Sequence, residues 1–213
     1  MQLPNPYQLS NNYTRKLCSA LVPAAGTSGR MGYPKLFLPF LKNKTFLEEI
    51  VSQYLRFGCE KVVVVVNQKD MINVQSISVL FGKPDIKFVV NPNPENGRFA
   101  SIQLGLKEIG AENDVFMQNI DNPFVDLDLL TTLLESLNPR CWSVPVFNKR
   151  RGHPLCMSRE VADVVRKCID RDVDIRKIIA NFDCSEIEAA NNSILLNINT
   201  PEDYVRVFKK NFK

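Results

Sequence analysis

The residues best suited to chemistry cluster between positions 21 and 35, which read L-V-P-A-A-G-T-S-G-R-M-G-Y-P-K. Ala24 and Ala25 precede Gly26, Thr27, Gly29 and Gly32, with Arg30 among the glycines and Lys35 closing the segment. Small residues let backbone N–H groups approach a polyphosphate closely, and two cations supply charge where phosphate charge would lie. A glycine cluster alone is equally consistent with a plain turn. Arg30 and Lys35 on the same loop move the reading towards phosphate. Spacing excludes the common phosphate loops. No Gly-Lys-Ser/Thr occurs anywhere, and the glycines read G-x-x-G-x-x-G, not the G-x-G-x-x-G of a dinucleotide site. A dinucleotide-dependent oxidoreductase also expects an acid at the end of the second strand, where Asn67 stands, so that class is disfavoured.

Polar residues recur where further strands are expected to end: Asn67, Asn91 before P-N-P-E-N-G, and Asn119-Ile120-Asp121-Asn122-Pro123. In open α/β sheets ligands bind at the carboxyl ends of strands, so this recurrence outlines a site, although each Asn or Asp alone is an ordinary turn former. Asp121 stands out. A carboxylate just past a buried strand and beside a phosphate loop is placed to hold Mg²⁺ that bridges phosphate oxygens; the alternative is an Asp turn or helix cap. His153, the only histidine, lies within Arg151-Gly152-His153-Pro154. It is a candidate for orienting a substrate phosphate or carrying a proton near neutral pH.

The elements that must position these groups follow from periodicity. Residues 17–22 form an apolar first strand and 61–67 (K-V-V-V-V-V-N) a β-branched run of the kind covered on both faces. Helical spacing marks 44–57, closed by Gly58, and helices are expected over 71–81, 100–109 and 126–137. Strands are expected at 86–90 and 114–119, then 141–147 and 155–157, with helices at 159–169 and 173–180. A last strand at 193–198 and a helix at 201–210 with Pro at its first position complete the reading. Strand–helix alternation over the first 140 residues argues for an α/β fold with a right-handed, mostly parallel sheet.

At 213 residues the chain suits one domain, residues 17–213, preceded by a polar, Pro/Asn-rich segment, 1–16, expected to be a flexible extension. A net charge of +4 with scattered basic residues argues against nucleic-acid binding, and the longest apolar run, 62–66, is far short of a membrane span. Six cysteines without a C-x-x-C pair read as buried thiols of a reducing compartment, and a cytoplasmic location is expected.

The stretch 24–35 matches A-A-G-x-S-x-R-M-G-x-P-K and resembles the MobA-like NTP-transferase family, in particular its molybdenum-cofactor cytidylyltransferase branch. Pro23 stands where that family usually has an aliphatic residue. Residues 121–125 resemble the family's Asp-x-Pro segment, and Gly97, Ser101, Ile102, Gly105 and Leu106 its E-G-x-x-x-S-I-x-x-G-L loop and helix. Residues 151–154 resemble the family's R-G-H-P, which implies a place on the acceptor side, and 197–204 resemble D-I-D-T-P-E-D-Y with both aspartates replaced, by Asn197 and Asn199. The resemblance implies a single-domain, Rossmann-like three-layer sandwich with a mostly parallel mixed sheet, of the nucleotide-diphospho-sugar transferase type. It implies transfer of a nucleoside monophosphate, CMP from CTP, to a phosphorylated small-molecule acceptor such as molybdopterin, with Mg²⁺ and release of pyrophosphate. Arg30, Lys35 and Asp121 would be catalytic, and Asp121 with Asn199 would hold the metal. Ala24, Ala25, Gly26, Thr27, Arg30, Lys35, Asn67, Asn91 and Ser101 would bind nucleotide, and Gly97, Arg151 and His153 the acceptor. The two Asp-to-Asn changes leave a second reading open, a non-catalytic nucleotide-binding or cofactor-chaperone relative. Oligomeric state is not legible.

Overall fold

A computed structural model of the protein describes residues 16–75, 80–170 and 173–210. The expected N-terminal extension lies almost wholly outside them, as do residues 76–79 of the helix expected over 71–81.

The sheet is built outward from β1 (Cys18–Pro23), which pairs in parallel with β4 (Val62–Asn67) on one side and β6 (Asp114–Met117) on the other. The full order is β10-β7-β9-β6-β1-β4-β5, with β5 at Ile86–Asn91, β7 at Cys141–Phe147, β9 at Leu155–Met157 and β10 at Asp183–Glu188; the short β8 (Arg150–Arg151) hangs on β7. Among the described residues only β9 and β8 run antiparallel to their neighbours in this sheet, which is mixed and mostly parallel. A separate hairpin joins β2 (Pro39–Leu41) to β3 (Lys44–Thr45).

Two helical layers cover this sheet because alternate side chains of each strand point to opposite faces. The five valines of β4 are all fully buried: Val62, Val64 and Val66 pack into one cluster, Val63 and Val65 into the other. On the first face lie α1 (Phe46–Phe57), α2 (Gln68–Val74) and α4 (Leu127–Glu135), through Leu47, Ile50, Tyr54, Val74, Leu130 and Leu133. On the second lie α3 (Gly97–Ile109), α5 (Arg159–Lys167) and α6 (Ile175–Ile179), through Ile102, Leu106, Val161, Val165 and Ile179. This is the three-layer α/β sandwich expected. Gly105 permits the close approach of α3 to the sheet, since a Cβ there would sit 2.1 Å from Leu21 Cδ1.

A third, smaller cluster decides where the glycine loop sits. Met31 from that loop is buried with Leu38, Phe46, Ile198 and Tyr204, the last from α7 (Pro201–Phe208). Burying a Met side chain is worth roughly 1.5–3 kcal/mol, so Met31 anchors an otherwise polar loop against the segment that carries Asn199.

Several boundaries differ from those the sequence suggests. Helix α1 starts at Phe46, because Thr45 caps it in a reciprocal capping box with Glu48 and residue 44 belongs to β3. Helix α2 starts earlier, at Gln68, with Asn67 as its cap. Among the described residues, the strand expected at 193–198 does not form; Asn192–Leu195 is a 3-10 turn. Its carbonyls are already taken, since Asn122 Nδ2 donates to Ser193 O and Ile194 O at 3.1 Å and His153 N donates to Ile194 O at 3.0 Å. The strand at that end of the sheet is instead β10, D-C-S-E-I-E, a half-exposed edge without the apolar run that would announce it.

Candidate active site

Two neighbouring cavities open at the carboxyl end of the parallel strands. The narrower, about 230 Å³, is lined by loop residues Ala25, Gly26 and Ser28, by Lys35, by Gly97, Arg98 and Ser101 of α3, and by Asn119 to Asp121. A Cβ on Gly26 would meet nothing within 4 Å, so this glycine leaves the cleft open beside the backbone. Ser28 holds a left-handed conformation (φ 53°) and its Oγ accepts from Lys35 N at 3.3 Å, which closes the loop on itself.

Lys35 is the hub of the cleft. Its Nζ lies 2.6 Å from Asn199 Oδ1 and 3.5 Å from Asp121 Oδ2, and Arg30 Nη2 donates to the same Asn199 oxygen at 3.3 Å. Four residues from three distant stretches of the chain therefore converge on one point. Asn199 is held from behind: Asp203 Oδ2 accepts from Asn199 N and Thr200 N, and Thr200 Oγ1 accepts from Asp203 N to cap α7. Asp121 is held by a buried relay in which Tyr54 Oη donates to Gln118, Gln118 Nε2 donates to Asn122 O, and Asp121 O accepts from Ile198 N at 2.7 Å. Sequence reading missed Gln118 and Asn122 in this role; both are fully buried amides, which spacing alone does not reveal.

Asp121 Oδ1 is buried and has no hydrogen-bond partner. A carboxylate oxygen in that state is the donor that a hard divalent cation would satisfy, completed by substrate phosphates and water. Asp121 therefore fits a metal ligand. Asn199 Oδ1 has the right atom type but is engaged by two cations, so it would serve a metal only after Lys35 or Arg30 turned towards phosphate. Among the described residues no group of three His, Cys, Asp or Glu is gathered for a metal.

Not every expected residue faces the cleft. Ala24 is buried in the core and its amide donates to Val65 O at 2.7 Å, which leaves it no N–H for a phosphate. Thr27 is exposed and lies outside the cleft lining. Asn67 caps α2 through Asp70 N, while its Nδ2 donates to Asp70 Oδ2 at 2.8 Å and to Ala25 O at 3.3 Å. It holds the loop from below. Asn91 is buried, with Nδ2 donating to Ser101 Oγ at 2.9 Å, so it orients Ser101, which does line the cleft.

The wider cavity, about 1240 Å³, adjoins the first through Gly97 and Arg98. Phe99, Trp142, Arg151, His153, Asp174 and Arg176 contribute to its wall. Arg151 lies over the Trp142 ring, 5.2 Å from its centroid, and its Nε donates to Glu186 at 2.6 Å. Gly152 is required here, because a Cβ would come within 2.5 Å of Ile194 O. His153 is held neutral: burial, with Arg98 nearby and Asp121 opposing, lowers its pKa to about 4. That removes the near-neutral proton carrier that the sequence had left open. Burial likewise lowers the pKa of Arg98.

Known proteins are similar to this chain over most of its length. A family model for the MobA-like NTP transferase domain matches residues 20–188. The molybdenum cofactor cytidylyltransferase of Escherichia coli (strain K12) is 24% identical over 187 residues, 87% of this chain and 92% of that protein. A probable molybdenum cofactor guanylyltransferase of Methanosarcina mazei is 25% identical over 205 residues, 91% of each chain. A solved nucleotidyl transferase from Methanothermobacter thermautotroptrophicus superimposes with a TM-score of 0.74 at 23% identity, covering 90% of this chain and 95% of that one. With two thirds and more of its length matched, the chain belongs to the MobA-like NTP transferase family and is a nucleotidyltransferase.

Proposed function

We propose that the protein transfers CMP from CTP to a phosphorylated small-molecule acceptor of the molybdopterin kind and releases pyrophosphate. The observation that carries this is the convergence of Arg30 and Asn199 on Lys35, which with Asp121 lines the narrow cleft, next to a second and wider cavity. The cytidine preference is supported by the resemblance of the A-A-G opening of the loop to the cytidylyltransferase branch and by the cytidylyltransferase relative.

In the reaction an acceptor phosphate oxygen attacks the α-phosphorus in line. A new P–O bond forms as the bond to the bridging oxygen of the β-phosphate breaks, and that electron pair leaves with pyrophosphate. Negative charge is spread over the phosphoryl oxygens, so catalysis is mainly positioning and charge stabilisation. Lys35 neutralises the α-phosphate and Arg30 steadies the leaving β- and γ-phosphates. Ala25, Gly26 and Ser101 shape the nucleoside side of the cleft, and Gly97, Arg151 and His153 the acceptor side. Mg²⁺, held by Asp121 with Asn199, would supply Lewis-acid stabilisation of the phosphate oxygens.

The test is pyrophosphate release with Mg²⁺ and CTP, GTP, ATP or UTP, each with and without molybdopterin. Release that is fastest with CTP and depends on acceptor is the expected result. Release with GTP in preference to CTP would overturn the base assignment. Nucleotide binding without release under any acceptor would favour a non-catalytic relative, the reading to which the engaged Asn199 oxygen lends weight.

A further inference from the structure

A short chain of hydrogen bonds joins the two cavities. Arg98 and Asn119 line the narrow cleft, and Arg98 and His153 line the wide one. Arg98 Nη2 donates to Asn119 Oδ1, and Asn119 Nδ2 lies 2.7 Å from His153 Nε2. A guanidinium has only donors. It therefore decides which way round the Asn119 amide sits: oxygen towards Arg98, NH₂ towards His153. The reversed amide would set N–H against N–H. Since the NH₂ group can only donate, His153 Nε2 must present its lone pair, and in a neutral ring the proton then resides on Nδ1. His153 Nδ1 is buried and without a hydrogen-bond partner. Unsatisfied buried donors are rare in folded proteins and invite an explanation.

We propose that Arg98 and Asn119 are positioning residues that lock His153, in the wall of the wide cavity, in its neutral Nδ1–H tautomer. The charged groups around the ring agree with a neutral state. Arg98 of α3 opposes protonation more strongly than Asp121 promotes it, and Arg151 and Arg176 also line this cavity, against Glu95 and Asp174. The tautomer does not depend on the transferase reading above.

Because His153 is the only histidine in 213 residues, selective ¹⁵N-histidine labelling gives a single imidazole to observe. Long-range ¹H–¹⁵N correlation then shows which nitrogen carries the proton. We expect the folded wild-type protein at pH 7 to show one neutral ring with the proton on Nδ1. Asn119→Ala and Arg98→Met remove the constraint, and the Nε2–H form should become substantial in both. A wild-type ring protonated on Nε2, a charged ring at pH 7, or an unchanged Nδ1–H tautomer in both variants would overturn the proposal. Should either variant lose its dispersed amide spectrum, the wild-type tautomer decides alone. A protein that releases pyrophosphate while showing Nε2–H would sink this inference and leave the function standing; the opposite pair of results would do the reverse.

Discussion

Lys35 contacts both Asp121 and Asn199, and kinetics can separate a role in the transition state from one in ground-state binding. If its charge acts mainly on the transition state, Lys35→Ala should lower kcat by roughly 10²–10³, the loss typical of one charge-stabilising donor, with a much smaller change in KM for CTP. Equal losses in both would assign Lys35 to ground-state binding. Asn199 tests the same point from the other side. Asn199→Asp restores the carboxylate that the family pattern has, and should tighten divalent-cation binding by about tenfold, near 1.4 kcal/mol; unchanged affinity by isothermal titration would remove residue 199 from the metal site. His153 gives a prediction about stability. Its pKa lies at about 4 when folded and near 6.5 when unfolded. The unfolded chain therefore binds the proton first as pH falls. Stability is fully present above pH 6.5 and is lost progressively down to about pH 4, by roughly 3 kcal/mol. Urea titrations of His153→Gln should show that slope flattened, and an unaltered slope would contradict the neutral buried ring.

At the scale of elements, what the sequence discloses depends on whether a segment's apolar pattern dictates its partner. β4 is legible because five consecutive valines have no stable place except between two layers, and β1 for a similar reason. β10 is not, because an edge strand with alternating acids carries no apolar signature and is defined by its six-residue register with β7. The segment at 193–198 reads as a strand, yet Asn122 and His153 consume the carbonyls of Ser193 and Ile194, a tertiary fact with no local signal. The candidate site shows the same division. Lys35 and Asp121 are legible from residue type and position, whereas Asn67 and Asn91, equally polar and equally placed at strand ends, turn inward to cap and brace. Arg98 and Asn119 lie within stretches already singled out, but their pairing with His153 needs three dimensions. Packing at the α3–sheet contact is testable. Gly105→Ala forces a Cβ into Leu21 and Val65 and should destabilise the protein by about 1–3 kcal/mol, measured by urea unfolding. A neutral effect would mean that α3 can shift away from β1 without loss.

Over the whole molecule, three clusters divide the work. Two cover the faces of the sheet and set the fold; the third, around Met31, Phe46 and Tyr204, ties the glycine loop to the segment bearing Asn199. The glycine loop and the segment bearing Asn199, from opposite ends of the chain, thus share one apolar floor. Among the described residues no helix is long and apolar enough to cross a membrane. The measurement to make on this arrangement is the thermal stability of wild-type protein and Asp121→Asn with CTP, with and without Mg²⁺. A ligand that binds only the folded state stabilises it by about 2.7 kcal/mol at a hundredfold excess over Kd. We expect wild type to gain this only when CTP and Mg²⁺ are present together, and Asp121→Asn to lose most of the gain. Equal stabilisation of both proteins, or a CTP effect indifferent to Mg²⁺, would contradict a metal-assisted triphosphate site built on Asp121.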